Sequence, residues 1–289
     1  MTDQAPSPRA GLAARVAFHL DQPVSSQSLA ALRIMFGVLM AAGSIRFCLS
    51  GWVEELFVRP TYFFKYPFFE WVPVWSPEGL YTHFAVVIIA ALAVAAGLYY
   101  RFSVIIFGLS FLGIQLMDQS NYLNHYYLVL IITVLFLFLP GHCAFSFDAA
   151  RSPSLYRPTI PRWMLYLLRF QVAVVYIFAS IAKMGSDWLL HAQPLSIWLG
   201  TQTHLPLVGN FIDAPWVAYA ASWTGCLYDL VIVPMLIFKR TRALAYLAVL
   251  GFHGFTFILF DIGMFPFIMV VLTTIFFEPD WPKWARNKL

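Results

Sequence analysis

Residues 168–189 read LRFQVAVVYIFASIAKMGSDWL. Counted from residue 163 to residue 184, this apolar run has the length that crosses a bilayer, about 20 residues. Arg169 enters it near the start and Lys183 stands at its end. A lysine at that depth is costly and is tolerated with a partner, a path to water or a task. Tyr176, Ser180, Lys183 and Asp187 recur at i, i+4, i+7 and i+11, a polar stripe on an otherwise apolar rod that should face protein rather than lipid. A lysine at a helix end can also lay its stem along apolar surface and leave its amine among the headgroups. Spacing alone leaves both readings open.

The rest of the chain has the same character. Of 289 residues, 61% are hydrophobic and 11% charged, and the mean hydropathy is +0.73, outside the range of a water-soluble domain. The expected fold class is all-α, a polytopic membrane bundle of eight helices over residues 28–49, 82–100, 103–117, 121–140, 163–184, 217–238, 243–260 and 264–277. The third and eighth of these are short. With the N-terminus inside, twelve of the eighteen Lys and Arg fall in inner segments, against only Arg59 and Lys65 in outer ones, so both ends are expected in the cytoplasm of a plasma (inner) membrane protein.

The net charge of +4 is therefore read as topology. Its basic residues are scattered between spans, which argues against a nucleic-acid partner. Residues 1–26 are expected as a cytoplasmic tail with no apolar core of signal-peptide length, 27–284 as the transmembrane domain and 285–289 as a C-terminal tail. Residues 51–81 and 185–216, with FFKYPFFEWVPVW and LSIWLG, are expected as interfacial caps on the outer face. Cys48, Cys143 and Cys226 match no disulfide or metal framework and read as small buried hydrophobes.

Polar residues converge on the outer half. Asn121, Asn124 and His125 are spaced i, i+3, i+4, as if on one face of the fourth span. His253 and Thr256 share a face of the seventh span, with Asp261 at its mouth. Either histidine can simply make an interhelical hydrogen bond, and two histidines without a third ligand make a poor metal site, so no metal is expected. Asp229, mid-span with Ser222 and Cys226 on its face, is too costly to stand alone, and an ion pair with Arg33 or Arg169 is the favoured reading, with Arg46 a further candidate.

Seven segments in order resemble the vitamin K-dependent gamma-glutamyl carboxylase family, whose membrane part is called the HTTM domain: LAALRIMFGVLM, GLYYRFS, MDQSNYLNHYYL, LRFQVAVVYIFASIAKMGSDWL, YDLVIVPMLIFKRTR, FHGFTFILFDIGMF and FFEPDWPKW. The resemblance runs from about residue 28 to residue 284. It implies a reaction at the outer or periplasmic face, in which a lysine deprotonates reduced vitamin K (phylloquinol or menaquinol), oxygen adds, and the resulting base removes a glutamate γ-proton before carbon dioxide attacks. The quinone leaves as its epoxide.

The catalytic lysine of that scheme falls on Lys183, and an amine in an apolar pocket suits the task. Asn124 and His125 would hydrogen-bond the quinone oxygens, with Asn121, Tyr176, Ser180 and Thr256 beside them, and His253 would move a proton or close the pocket. Trp188, Phe252, Met264 and Phe265 would hold ring and tail, although any membrane core has such a lining.

Two departures bear on substrate. The chain ends about a dozen residues after the last span, where the animal carboxylase continues into a lumenal domain, so a secreted peptide or a partner protein supplying that domain is implied. The family's paired lysines are here Ala182 and Lys183. The alternative to an enzyme is a non-catalytic membrane protein of this fold that serves in maturation of, or immunity to, a secreted peptide. Transport is disfavoured, because the sequence shows neither repeat symmetry nor broken-helix signals.

Overall fold

A computed structural model describes residues 11–206, 208–260 and 262–286. Asp261 and the outermost ends of both expected tails, residues 1–10 and 287–289, lie outside the described residues. In chain order the elements are α1 (Leu12–Asp21), β1 (Pro23–Ser25), α2 (Gln27–Leu49), α3 (Pro77–Ala96), α4 (Tyr100–Met117), α5 (Asn124–Phe138), α6 (Phe147–Arg151), β2 (Thr159–Pro161) and α7 (Trp163–Ala182). They continue as α8 (Ser186–Leu189), α9 (Leu195–Gly200), α10 (Pro215–Ile237), α11 (Arg242–Leu259), α12 (Phe265–Thr273) and α13 (Trp281–Arg286). The chain divides into two compact units, Met1–Leu168 with Glu278–Leu289, and Arg169–Phe277.

The architecture is the expected all-α membrane bundle. Six helices, α2, α3, α4, α7, α10 and α11, are long and apolar enough to cross a membrane. Their surfaces are inverted relative to a water-soluble protein: Phe170, Phe178, Leu247 and Ile258 point outward, while Arg33, Ser180, Ser222, Asp229 and His253 are buried. Hydrocarbon offers no hydrogen bonds, so polar groups turn inward and apolar ones meet lipid.

Two span lengths differ from expectation. The third is the longer one, 18 residues from Tyr100, because the Asp148 carboxylate accepts the N–H groups of Tyr99 at 2.9 Å and Tyr100 at 2.8 Å and so extends the N-terminus of α4. The fourth is the shorter one. Asp118 accepts from the backbone and hydroxyl of Ser120 and holds Gln119–Asn121 in a 3₁₀ turn; Leu123 is then extended, and α5 starts only at Asn124. Its 15 residues rise about 22 Å, short of a hydrocarbon core of roughly 30 Å. Phe265–Phe276, the region of the eighth expected span, is likewise a shorter apolar helix.

Residues 12–21, placed with the tail in sequence, form α1, and β1 pairs antiparallel with β2 in the register Val24 to Ile160. Within the first unit, Gly37 lets α2 press on α3, since a Cβ there would lie 2.5 Å from the Ala91 carbonyl and 2.6 Å from the Ala95 nitrogen. The loop after α2 is ordered from inside: Lys65 donates to the carbonyls of Val72 at 2.8 Å and Met117 at 2.9 Å, while Phe68 and Trp71 stay exposed. At the other end of this unit Arg33 is fully buried and donates to the Phe145 carbonyl at 2.6 Å.

Gly97 makes room for that guanidinium. Its φ is +61°, and an added Cβ would run into Arg33 Nη1 and Ser146 Cβ. Gly97→Ala is therefore expected to destabilise the protein by about 2 kcal/mol or more. Gly51→Ala, at φ +74° with open space around it, should cost only about 1 kcal/mol of backbone strain. Chemical or thermal unfolding of the two variants in the same detergent reads the difference.

Candidate functional site

The second unit holds the buried polar constellation. Helix α7 places Tyr176 and Ser180 on its inner side, 1% and 0% exposed, and ends at Ala182. Lys183 is the first residue beyond, its N–H bonded to the Ser180 carbonyl. Asp187, expected on the same stripe, stands exposed in α8, because the helix has ended and the four-residue offset no longer repeats a face. The Lys183 side chain turns back along its own helix: Nζ donates to the Ala179 carbonyl at 3.3 Å and to Asp229 Oδ2 at 2.6 Å. The amine thus runs inward to a partner and does not snorkel.

Helix α10 brings that partner. Ser222, Cys226 and Asp229 are buried on one side of it, as their spacing predicted. Ser180 donates to the Cys226 carbonyl at 3.1 Å, and Trp188 Nε1 to the Ser222 carbonyl at 2.8 Å, while the Ser222 hydroxyl returns a bond to the Trp188 carbonyl. The Trp188 ring lies 5.3 Å from Lys183 Nζ, within cation–π range.

The ion-pair reading for Asp229 holds with a different cation. Arg33 is committed to Phe145 in its own unit. Arg169 donates to the carbonyls of Ile275 at 2.9 Å and Phe277 at 3.2 Å, which the short helix at 265–276 leaves open at its end. Each arginine closes backbone, and Asp229 is left to Lys183. Side-chain exposure in the pair is 22% for the lysine and 5% for the aspartate.

Helix α11 adds His253, 2% exposed, whose Nε2 is hydrogen-bonded to the Tyr176 hydroxyl at 3.0 Å. Its Nδ1 is buried without a hydrogen-bond partner among the described residues. Tyr228 lies 3.5 Å from the Tyr176 hydroxyl and stacks on Phe252 with ring centres 3.9 Å apart. Phe265 meets His253 edge-on at 5.8 Å. Thr256 spends its hydroxyl on the His253 carbonyl, and Met264 caps α12.

Lys183, Asp229, Tyr176 and His253 line one cavity of about 60 Å³, together with Val175, Ala179, Phe252, Phe265 and Met269. Of the residues expected at the site, this unit brings Tyr176, Lys183, Phe252, His253 and Phe265 to the cavity, and Ser180, Trp188, Thr256 and Met264 near it as supports. Asn121, Asn124 and His125 belong to the other unit. Asn124 is exposed at the first residue of α5, His125 is buried against the Tyr126 ring, and Asn121 donates to Asp118 at 3.4 Å from the preceding turn, off the helical face expected for it. Tyr228 and Met269 were not assigned to the site in sequence, and Asp229 was read there as a structural charge. Asp229 was the one with a signal, being a mid-span carboxylate in need of a cation.

The lining offers an amine, a phenol and an imidazole among aromatic rings. In volume it takes a few water-sized groups, well short of the roughly 300–1,000 Å³ of a pocket that encloses a drug-sized ligand. A bicyclic quinone ring does not fit inside it.

Compared with protein-family models, residues 21–281 match the HTTM domain, the domain found in the vitamin K-dependent carboxylase family. No solved structure matches the chain.

Removing one partner of a buried pair strands the other charge. Asp229→Ala is expected to cost about 3–5 kcal/mol, whereas Lys183→Met combined with Asp229→Leu should recover most of that loss. Unfolding midpoints of the single and double variants in nanodiscs measure both.

Proposed function

Because the chain belongs to the HTTM-domain family, we propose that it is an integral-membrane enzyme of the vitamin K-dependent carboxylase type, with Lys183 as the base toward a quinol hydroxyl. The observation that carries this reading is the Lys183–Asp229 pair on the wall of an apolar cavity that also presents Tyr176 and His253. A buried ion pair is weak evidence for stability, since an apolar pair of equal size serves as well. Polar groups held at membrane depth are by default candidates for chemistry.

Reduced vitamin K, as phylloquinol or menaquinol, with O2 and CO2, would supply the oxidative drive for carboxylating a glutamate on a peptide or protein if its ring lay outside the cavity with one hydroxyl toward Lys183. Asp229 orients the Lys183 amine, and Trp188 backs it with an aromatic face. Tyr176 and His253 form a hydrogen-bonded couple that can pass a proton across the cavity. The cavity's size limits what meets Lys183 to a hydroxyl-sized edge. The distribution of basic residues supports a site on the outer side of a plasma (inner) membrane with both ends cytoplasmic, where a secreted peptide or a partner protein would present the glutamate.

One observation favours a second reading, a non-catalytic HTTM protein serving a secreted peptide's maturation or immunity: at 2.6 Å the lysine and aspartate satisfy one another, and the space beside them is small.

Purified protein in nanodiscs, given vitamin K hydroquinone, oxygen, bicarbonate and a glutamyl peptide, is expected to yield quinone epoxide detectable by mass spectrometry. Lys183→Ala should lower that yield by about 100-fold or more. If wild type and variant both give none, the second reading takes its place.

A further inference from the structure

The charge at the cavity is balanced within one contact. Among the described residues, Lys183 and Asp229 are the only charged ones in the lining; the other titratable groups packed around them are Tyr176 on α7, Cys226 and Tyr228 on α10, and His253 on α11, while α12 contributes Phe265 and Met269. While the proton of the 2.6 Å contact sits on nitrogen, the amine has no lone pair to offer. For Lys183 to act as a base, its proton must first go somewhere. Its nearest carboxylate acceptor is Asp229 Oδ2.

We propose that Asp229 is a positioning residue that stores the Lys183 proton, so that the pair alternates between ammonium–carboxylate and amine–carboxylic acid without exchanging a proton with solvent. This rests on the reading of Lys183 as the base. In the step, one N–H bond of Lys183 breaks and an O–H bond forms at Asp229 Oδ2, and the net charge of the cavity stays zero. The separation is that of a short charge-assisted hydrogen bond, so the proton moves without rearrangement of heavy atoms. Taking water from the site disfavours the charged form of both partners at once, which favours the neutral form. The bond that remains, from a carboxylic acid to an amine, is weaker than the one it replaces, and its rupture exposes the lone pair. When the amine then accepts a proton from a substrate hydroxyl, the pair as a whole becomes cationic and faces the anion it has made.

The two forms contain the same number of protons, so their ratio is independent of pH, unlike that of an amine titrating against water. The test is labelling of Lys183 by acetic anhydride, a small neutral reagent that reacts with free amine, in the full-length protein in nanodiscs between about pH 6 and about pH 8, resolved by peptide mass spectrometry. A blocked lysine in the same tube gains about tenfold per pH unit. Lys183 is expected to label at a rate constant within about twofold over that range. A tenfold rise per unit at Lys183, or no labelling at any pH, overturns the proposal. Asp229→Asn, whose carboxamide takes no proton, should acquire pH dependence while Asp229→Glu keeps the flat profile; an Asp229→Asn profile superimposable on wild type also overturns it. A flat wild-type profile in a protein that forms no epoxide leaves the proton store standing without the proposed reaction. A steep profile in a protein that forms epoxide removes only the store.

Discussion

Hydrocarbon cannot hydrogen-bond, and the rest of the structure follows from that constraint. Every polar side chain that enters a span must find its partner within the protein, and backbone left open by a short or broken helix must be closed from elsewhere. Arg33 and Arg169 do the second task. Arg33 holds the Phe145 carbonyl, and Arg169 holds those of Ile275 and Phe277. Asp148 does the converse, closing the open N–H groups at the start of α4. With these cations and this anion engaged on backbone, the one intramembrane aspartate on α10 takes the lysine at the end of α7.

That allocation separates what sequence could say from what it could not. Helix positions were legible because apolar length is a one-dimensional property. So was the burial of Tyr176, Ser180, Ser222, Cys226 and Asp229, since a helical face follows from spacing while the helix continues. The errors fall where it stops. Asp187 lost the face of α7 because the helix ends at Ala182, and Asn121 lost the face of α5 because Asp118 holds the preceding residues in a 3₁₀ turn. A side chain's bonding choice was not legible either. An arginine and a lysine look equivalent as counter-ions on paper, but guanidinium with several fixed donors suits paired carbonyls, and a flexible ammonium suits a single carboxylate.

The site has a consequence for how the family resemblance is understood. Lys183, His253, Phe252 and Phe265 share one cavity, yet the space among them is of water size, and the lysine is tied to a carboxylate the resemblance did not pair with it. The aspartate changes the nature of the lysine from an isolated amine to one half of a neutral unit. Such a unit is cheaper to bury than either charge alone, so a membrane protein can keep a strongly basic group at depth through synthesis and insertion.

The division of the chain into units has an effect on the order of events at the ribosome. The first unit is written in two pieces, residues 1–168 and 278–289, with the second unit between them like a parenthesis. The Ser28 N–H on the first long helix finds its acceptor at the Pro279 carbonyl, and the strand before that helix finds its mate at residues 159–161. The earliest of the long helices therefore keeps an unfilled bond until residue 279 has been made, and a nascent chain halted just short of that residue leaves its oldest part unfinished while residues 169–277 are already complete.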